Sequence, residues 1–417
     1  MWDPREDVQS ATLPNGLRVY SVYWPDRPWV SMGFLIHSGA HQDKVGLEGT
    51  AHFVEHMVSR NAMIPYKEIK EFFENSGGGV KLGATGYLET FYSCFASLDR
   101  LKRALEIFST ILMTAEIKSY VEEQRQVILS EFQRRFSLVP MLDLAWRETR
   151  NVFGGTYMER HVSPLGMPNS IWNITREDLQ SFYDTNYTPA NTSIVCVGGI
   201  RLEELLEKLS FTGFGNLKPG ERSERPSVIE RVRPPLESRY VFEASKHVMT
   251  EKPRESGAYH SVVVLPGNIS REALTILRRM TDKVMFEEVR ERRGWTYATG
   301  AKTFSRGPFH GAELNAEALK LDSLGEIEAV VNSCLESLSD RDDLFRNAVE
   351  GYISASSMTD FSGNGLCDAL MNDLIKQGRI ITNAETDGVV SRLTMDDMRA
   401  LLHQLGPEQR YTVLTVP

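Results

Sequence analysis

The two halves of this chain close in the same way. Ile174-Thr175-Arg176-Glu177-Asp178-Leu179 leads to Phe182, Pro189 and the apolar run Ser193-Ile194-Val195-Cys196-Val197. Leu393-Thr394-Met395-Asp396-Asp397-Met398 leads to Leu401, Pro407 and Thr412-Val413-Leu414-Thr415-Val416. In each, a threonine stands where a helix N-cap belongs and an acidic residue follows three positions on. The offset is about 219 residues, far longer than the roughly 20–50 residues of solenoid repeats. A repeat that long is a whole domain made twice. It predicts an α+β fold of two homologous domains, each a mainly antiparallel sheet with helices packed on one face.

The segments between support this reading. Leu17–Tyr23, opened by the turn signal Asn15-Gly16, and Trp29–Ile36 have the composition of strands. Helical spacing begins near Leu47 and recurs over Tyr66–Asn75, Leu98–Met113 and Ser119–Phe136. A strand returns at Thr192–Val197. From Thr212 to Glu237, Gly213, Gly215, Pro219, Gly220, Pro226, Pro234 and Pro235 stand among mixed charges. The expected division is a domain over 1–215, a linker over 216–237 and a second domain over 238–417.

Composition narrows the class. A chain of 417 residues, 41% hydrophobic and 25% charged, is globular, neither disordered nor fibrous. Its net charge of −9, with no block of lysine or arginine, argues against a nucleic-acid partner. No apolar run approaches the ~20 residues of a membrane span, so no membrane association is expected. The N-terminus has no leader-like pattern. Cys94, Cys196, Cys334 and Cys367 are scattered and form no CxxC pair, the usage of a reduced, cytoplasmic chain.

The chemistry is concentrated in His52-Phe53-Val54-Glu55-His56. Histidines four apart on a helix share one face, one turn apart, and can reach one zinc ion. Glu55 stands beside them, where it can take a proton from water. This is the H-x-x-E-H order, the reverse of the commoner zinc helix. A catalytic zinc needs a third protein ligand, and Glu131, in the helical run Glu122–Phe132, is the strongest candidate. The bland alternative is a set of surface side chains on an amphipathic helix. His37, His41 and His161 are assigned structural roles, and Gly77-Gly78-Gly79 lacks the lysine and helix of a phosphate loop.

Taken together, these residues resemble the M16 metallopeptidases, the insulinase, pitrilysin and mitochondrial processing peptidase group. The likeness is carried by Leu13-Pro14-Asn15-Gly16-Leu17-Arg18-Val19, by Gly49–Met57, by Gln124–Glu131, by Pro164-Leu165-Gly166 through Asn186–Asn191, and by Arg290-Glu291-Arg292-Arg293-Gly294-Trp295-Thr296-Tyr297. It implies one zinc per chain bound by His52, His56 and Glu131, with Glu55 activating water. It also implies that Arg290 and Tyr297 reach the substrate and steady the developing oxyanion. Leu82-Gly83-Ala84-Thr85 aligns with the family's substrate-binding edge strand, where an asparagine is usual at the position of Leu82. Gln124 replaces a glutamate common behind the third ligand, and would act on the ligands by hydrogen bonding without charge.

The resemblance is to half of a clamshell. Large members hold four such domains around a closed chamber, with the zinc set and the Arg/Tyr pair in different halves. A two-domain chain carrying both sets is expected to form a homodimer, or a heterodimer with a related M16 chain. The implied function is zinc-dependent hydrolysis of peptides or unfolded segments, with peptide maturation as a plausible subclass. The alternative is a non-proteolytic scaffold or partner subunit, a role usually marked by loss of a zinc ligand or of the glutamate.

Overall fold

The computed structural model describes residues 3–60, 63–75, 78–136, 139–226, 234–243, 256–265, 267, 269–306, 309–359 and 362–417. Residues 227–233 of the expected linker lie outside these.

Six strands build the first sheet: β1 (Gln9–Thr12), β2 (Arg18–Tyr23), β3 (Trp29–Ile36), β4 (Gly79–Thr85), β5 (Thr90–Ser97) and β6 (Thr192–Gly198). Their order is β1-β2-β6-β3-β5-β4. Only β2 and β6 run parallel; the other pairs are antiparallel. The second sheet holds β7 (Arg239–Glu243), β8 (Gly257–Leu265), β9 (Ala298–Arg306), β10 (Phe309–Leu319) and β11 (Tyr411–Val416). Its order is β7-β11-β8-β10-β9, again with one parallel pair, β7 and β11, and antiparallel neighbours elsewhere. Setting β1 aside, order and sense are the same in both. The duplication read from the closing segments is therefore a duplication of topology. Both predicted caps are also present: Thr175 and Thr394 each accept from the backbone N–H three residues on, reciprocated by Asp178 and Asp397.

Strand alternation sorts the first sheet's side chains onto two faces. Val30, Met32, Phe34, Ile36, Cys94, Ile194 and Cys196 join one buried cluster with α1 (Thr50–Val58), α2 (Tyr66–Glu74) and α3 (Leu101–Met113). Phe34 stacks between Phe108, at 4.2 Å, and Phe214, at 5.6 Å. Burying each such ring is worth roughly 1.5–3 kcal/mol. Val22, Leu35, Val195 and Val197 face the other way and pack on Leu366, Cys367, Leu370, Met371 and Leu374 of the helix Gly363–Gln377. Gly33 permits that approach, since a Cβ there would overlap the Met371 side chain.

The chain divides into two compact units, each assembled from three stretches. The first comprises 1–135, 163–225 and 357–383; the second comprises 136–162, 226–356 and 384–417. Boundaries at 215 and 238 thus separate most of the two units but leave out an exchange of helices. The helix Gly363–Gln377 packs on β3 and β6 in the first unit, and α5 (Val139–Phe153) packs on β8 and β11, their topological counterparts, in the second. Inside the second unit α5 is held by Glu148, which accepts from His260 at 3.2 Å and lies 3.4 Å from Arg306. No helix among the described residues is long and apolar enough to cross a membrane. All four cysteines are buried, free thiols.

Candidate metal centre

The first unit brings two helices together at one point. α1 carries His52, Glu55 and His56, and α4 (Val121–Arg135) carries Gln124 and Glu131, two turns apart on one face. α1 begins at Gly49, whose φ of +101° suits glycine; a Cβ there would press on the backbone of Leu165 and Gly166. Its first N–H groups are capped from a distance. The buried Asp43 carboxylate accepts from Gly49 N at 2.7 Å and from Ala51 N at 2.8 Å. An anion there also suits the helix dipole.

The ligand atoms converge. Nε2 of His52 lies 3.7 Å from Oε2 of Glu131, and Nε2 of His56 lies 3.6 Å from the same oxygen. The three side chains present one ligand atom each within 4.8 Å of one another. Ligands about 2.0–2.2 Å from one tetrahedral ion stand roughly 3.3 Å apart, so both histidine–glutamate separations are close to those of a zinc site. This triangle is the only such group among the described residues. Gln124, 2% exposed, orients one ligand: its Oε1 lies 3.2 Å from Nδ1 of His56. With Nδ1–H donating, the Nε2 lone pair is left toward the metal position. Among the described residues His52 has no such support, and its Nδ1 is buried without a partner there.

Burial and neighbouring charge set the protonation states. Burial, and then the charge of His56, push His52 down to about 3, so its imidazole is neutral, the form that binds metal. Burial also opposes charge on His56, but Glu131, Glu55 and Gln124 outweigh it and raise its pKa. Glu131 is held below the usual carboxylate range, chiefly by His56. Glu55, 8% exposed, is raised by burial, against the pull of His56, Thr85 and Lys81. A glutamate moved in that direction is better matched to accepting and returning a proton near neutral pH.

The remaining candidates divide by unit. Leu82, Gly83, Ala84 and Thr85 lie on β4, the sheet's edge, beside Glu55. Leu82 packs its side chain against the apolar core. Thr85 Oγ1 donates to Oε2 of Glu55 at 2.9 Å, so its hydroxyl is committed to the glutamate. Arg290 and Tyr297 belong to the second unit. Arg290 lies in the last turn of the wide helical segment Phe286–Arg292 and stands 5.8 Å from the Tyr297 ring. Glu288 pairs with Arg292 and Arg293, and Arg290 has no carboxylate partner among the described residues. Tyr297 is 87% exposed and Arg290 is exposed as well, so both side chains are available to a ligand. His37 and His41 are structural: His37 bonds Ser193 at 2.8 Å and His41 bonds the Tyr87 carbonyl at 2.8 Å.

Comparison with known proteins agrees with this arrangement. The family model for insulinase, peptidase family M16, matches residues 18–139, and the model for the M16 peptidase inactive domain matches residues 173–350. The chain belongs to peptidase family M16. It is 27% identical over 205 residues to a probable mitochondrial-processing peptidase subunit beta of Arabidopsis thaliana, a match covering 49% of this chain and 38% of that one. It is 29% identical over 217 residues to the zinc protease PqqE of Helicobacter pylori, covering 50% and 47%. The matches thus span less than half the length of these curated relatives. In fold, a Helicobacter pylori protease superposes over 100% of both chains with a TM-score of 0.83 at 17% identity.

Proposed function

We propose that this chain is a zinc-dependent endopeptidase that cleaves peptides or unfolded segments. The observation that carries the reading is the convergence of His52, His56 and Glu131 on one point with Glu55 beside them. Zinc held there by these three side chains would supply a Lewis acid that polarises the scissile carbonyl and makes water more acidic. The chain's own residues account for the rest. Glu55 takes the proton from the attacking water and returns it to the departing amine, with Thr85 fixing one carboxylate oxygen. Gln124 sets the His56 tautomer. The open edge of β4 can bind a peptide by strand addition whatever its side chains, so the missing asparagine at Leu82 does not remove the docking surface.

Arg290 and Tyr297 are suited to hold a developing oxyanion, as a guanidinium and a phenol are both donors. We assign them to the composite site of a dimer with a second copy or a related M16 chain. That relatives are named as subunits supports such pairing. Elemental analysis tests the metal assignment: about one zinc per chain is expected in the purified protein, lost in His52→Ala. A chain free of zinc after handling without chelators would overturn it.

A further inference from the structure

β4 is the last strand of its sheet, and no strand pairs with its outer edge among the described residues. Its pairing with β5 slips between Lys81 and Ala84, so that Leu82 and Gly83 bulge. The bulge lies against Glu55. Gly83 has a φ of +142°, and a Cβ there would overlap Cγ, Cδ and Oε1 of Glu55. Two residues on, Thr85 Oγ1 donates to the other oxygen, Oε2, at 2.9 Å. One strand therefore lies against both oxygens of the same buried carboxylate: Oε1 stands where a side chain on Gly83 would be, and Oε2 accepts a hydrogen bond from Thr85. The strand that does so is the one left open for another strand to join.

We propose that β4 couples peptide docking to the position of the general base: a peptide added to its free edge fixes the bulge, and the bulge fixes Glu55. The inference rests on the peptidase reading above and deepens it. A bulge containing glycine has more backbone freedom than a regular strand. Ladder hydrogen bonds from an added strand remove that freedom at Leu82–Thr85, the residues that grip the carboxylate. Binding energy collected along the peptide, away from the scissile bond, is thereby used to orient the base, and it appears in turnover rather than only in affinity. Thr85 is then a positioning residue.

The test compares two fluorogenic peptides with the same scissile pair, one of about four residues and one of about ten, long enough to pair along a strand. With the zinc-loaded full chain, kcat for the long peptide should exceed that for the short one by about tenfold or more. Thr85→Val should lower both values, the long one further, so that the ratio falls toward one while the KM of the long peptide stays within about twofold. Thr85→Ser, which keeps the hydroxyl, should restore the ratio. Gly83→Ala, whose methyl displaces a movable side chain, should act like Thr85→Val. In the zinc-free chain, the long peptide should slow hydrogen exchange over residues 79–90 and the short one should not. An unchanged kcat ratio in Thr85→Val, or no slowing of exchange, overturns the coupling while leaving the peptidase reading intact. Cleavage of neither peptide by the zinc-loaded wild type overturns the peptidase reading and the coupling with it.

Discussion

At Glu55 and His56 burial opposes the charged form of both side chains, and only at His56 do the neighbours outweigh it. Burial raises the glutamate toward neutrality, whereas the histidine, against the Glu131 carboxylate and Gln124, ends above its ordinary value. Gln124 is the residue whose contribution is most easily isolated. Gln124→Leu keeps the bulk and removes the one bond to the outer nitrogen of His56 among the described residues, so zinc affinity should fall about tenfold to a hundredfold, measured by chelator competition. An unchanged affinity would mean that Gln124 merely fills space. Much of this site was legible in the sequence. The 52/55/56 spacing places two imidazoles and a carboxylate on one turn, and the helical run around Glu131 brings the Glu131 carboxylate to the same cluster. Gln124 was legible only through the family resemblance. Asp43 was not, because it caps α1 from an irregular loop and its bonds to Gly49 and Ala51 leave no periodic trace. Thr85 was found but given to the substrate, since its position on an edge strand does not reveal that its hydroxyl already serves Glu55.

Among the elements, α5 shows what periodicity cannot say. An amphipathic helix records that it has an apolar face, not which sheet that face will meet. α5 belongs to the second unit, held there by the Glu148–His260 contact, and the sequence division at 215 and 238 placed it in the first. The contact also has a pH signature. Burial opposes charge on His260, but Glu148, with Glu313, outweighs burial and Arg306 and raises its pKa. Glu148 is held below its usual value by His260 and Arg306, against burial. A raised histidine stabilises the folded state fully below its unfolded pKa of about 6.5, and that stability is lost as pH rises through the folded pKa. The lowered glutamate contributes above about 4.5 and its share is lost only in acid. Thermal stability should therefore decline as pH rises above about 6.5, and the decline should shrink in His260→Gln, as followed by calorimetry. An equal decline in the variant would show that the pair does not govern it.

Over the whole molecule, the closing segments announced the duplication, and apart from β1 the sheets repeat each other in order and sense. What the sequence concealed is the exchange, in which the helix Gly363–Gln377 and α5 occupy equivalent places in units their position in the chain does not suggest. The ligand cluster is built in the first unit and Arg290 with Tyr297 in the second. In a homodimer whose copies complete each other's sites, mixing an inactive Glu55→Gln chain with an inactive Tyr297→Phe chain yields mixed dimers with one intact site. Random pairing then restores about a quarter of wild-type activity, while no restoration would exclude sites shared between copies. The most direct measurement of the central claim is hydrolysis of a mixed library of short peptides by the purified, zinc-loaded chain beside Glu55→Gln. The account predicts zinc-dependent cleavage by the wild type and a loss of about a hundredfold or more in the variant, with zinc still bound. A Glu55→Gln chain as active as the wild type would contradict it.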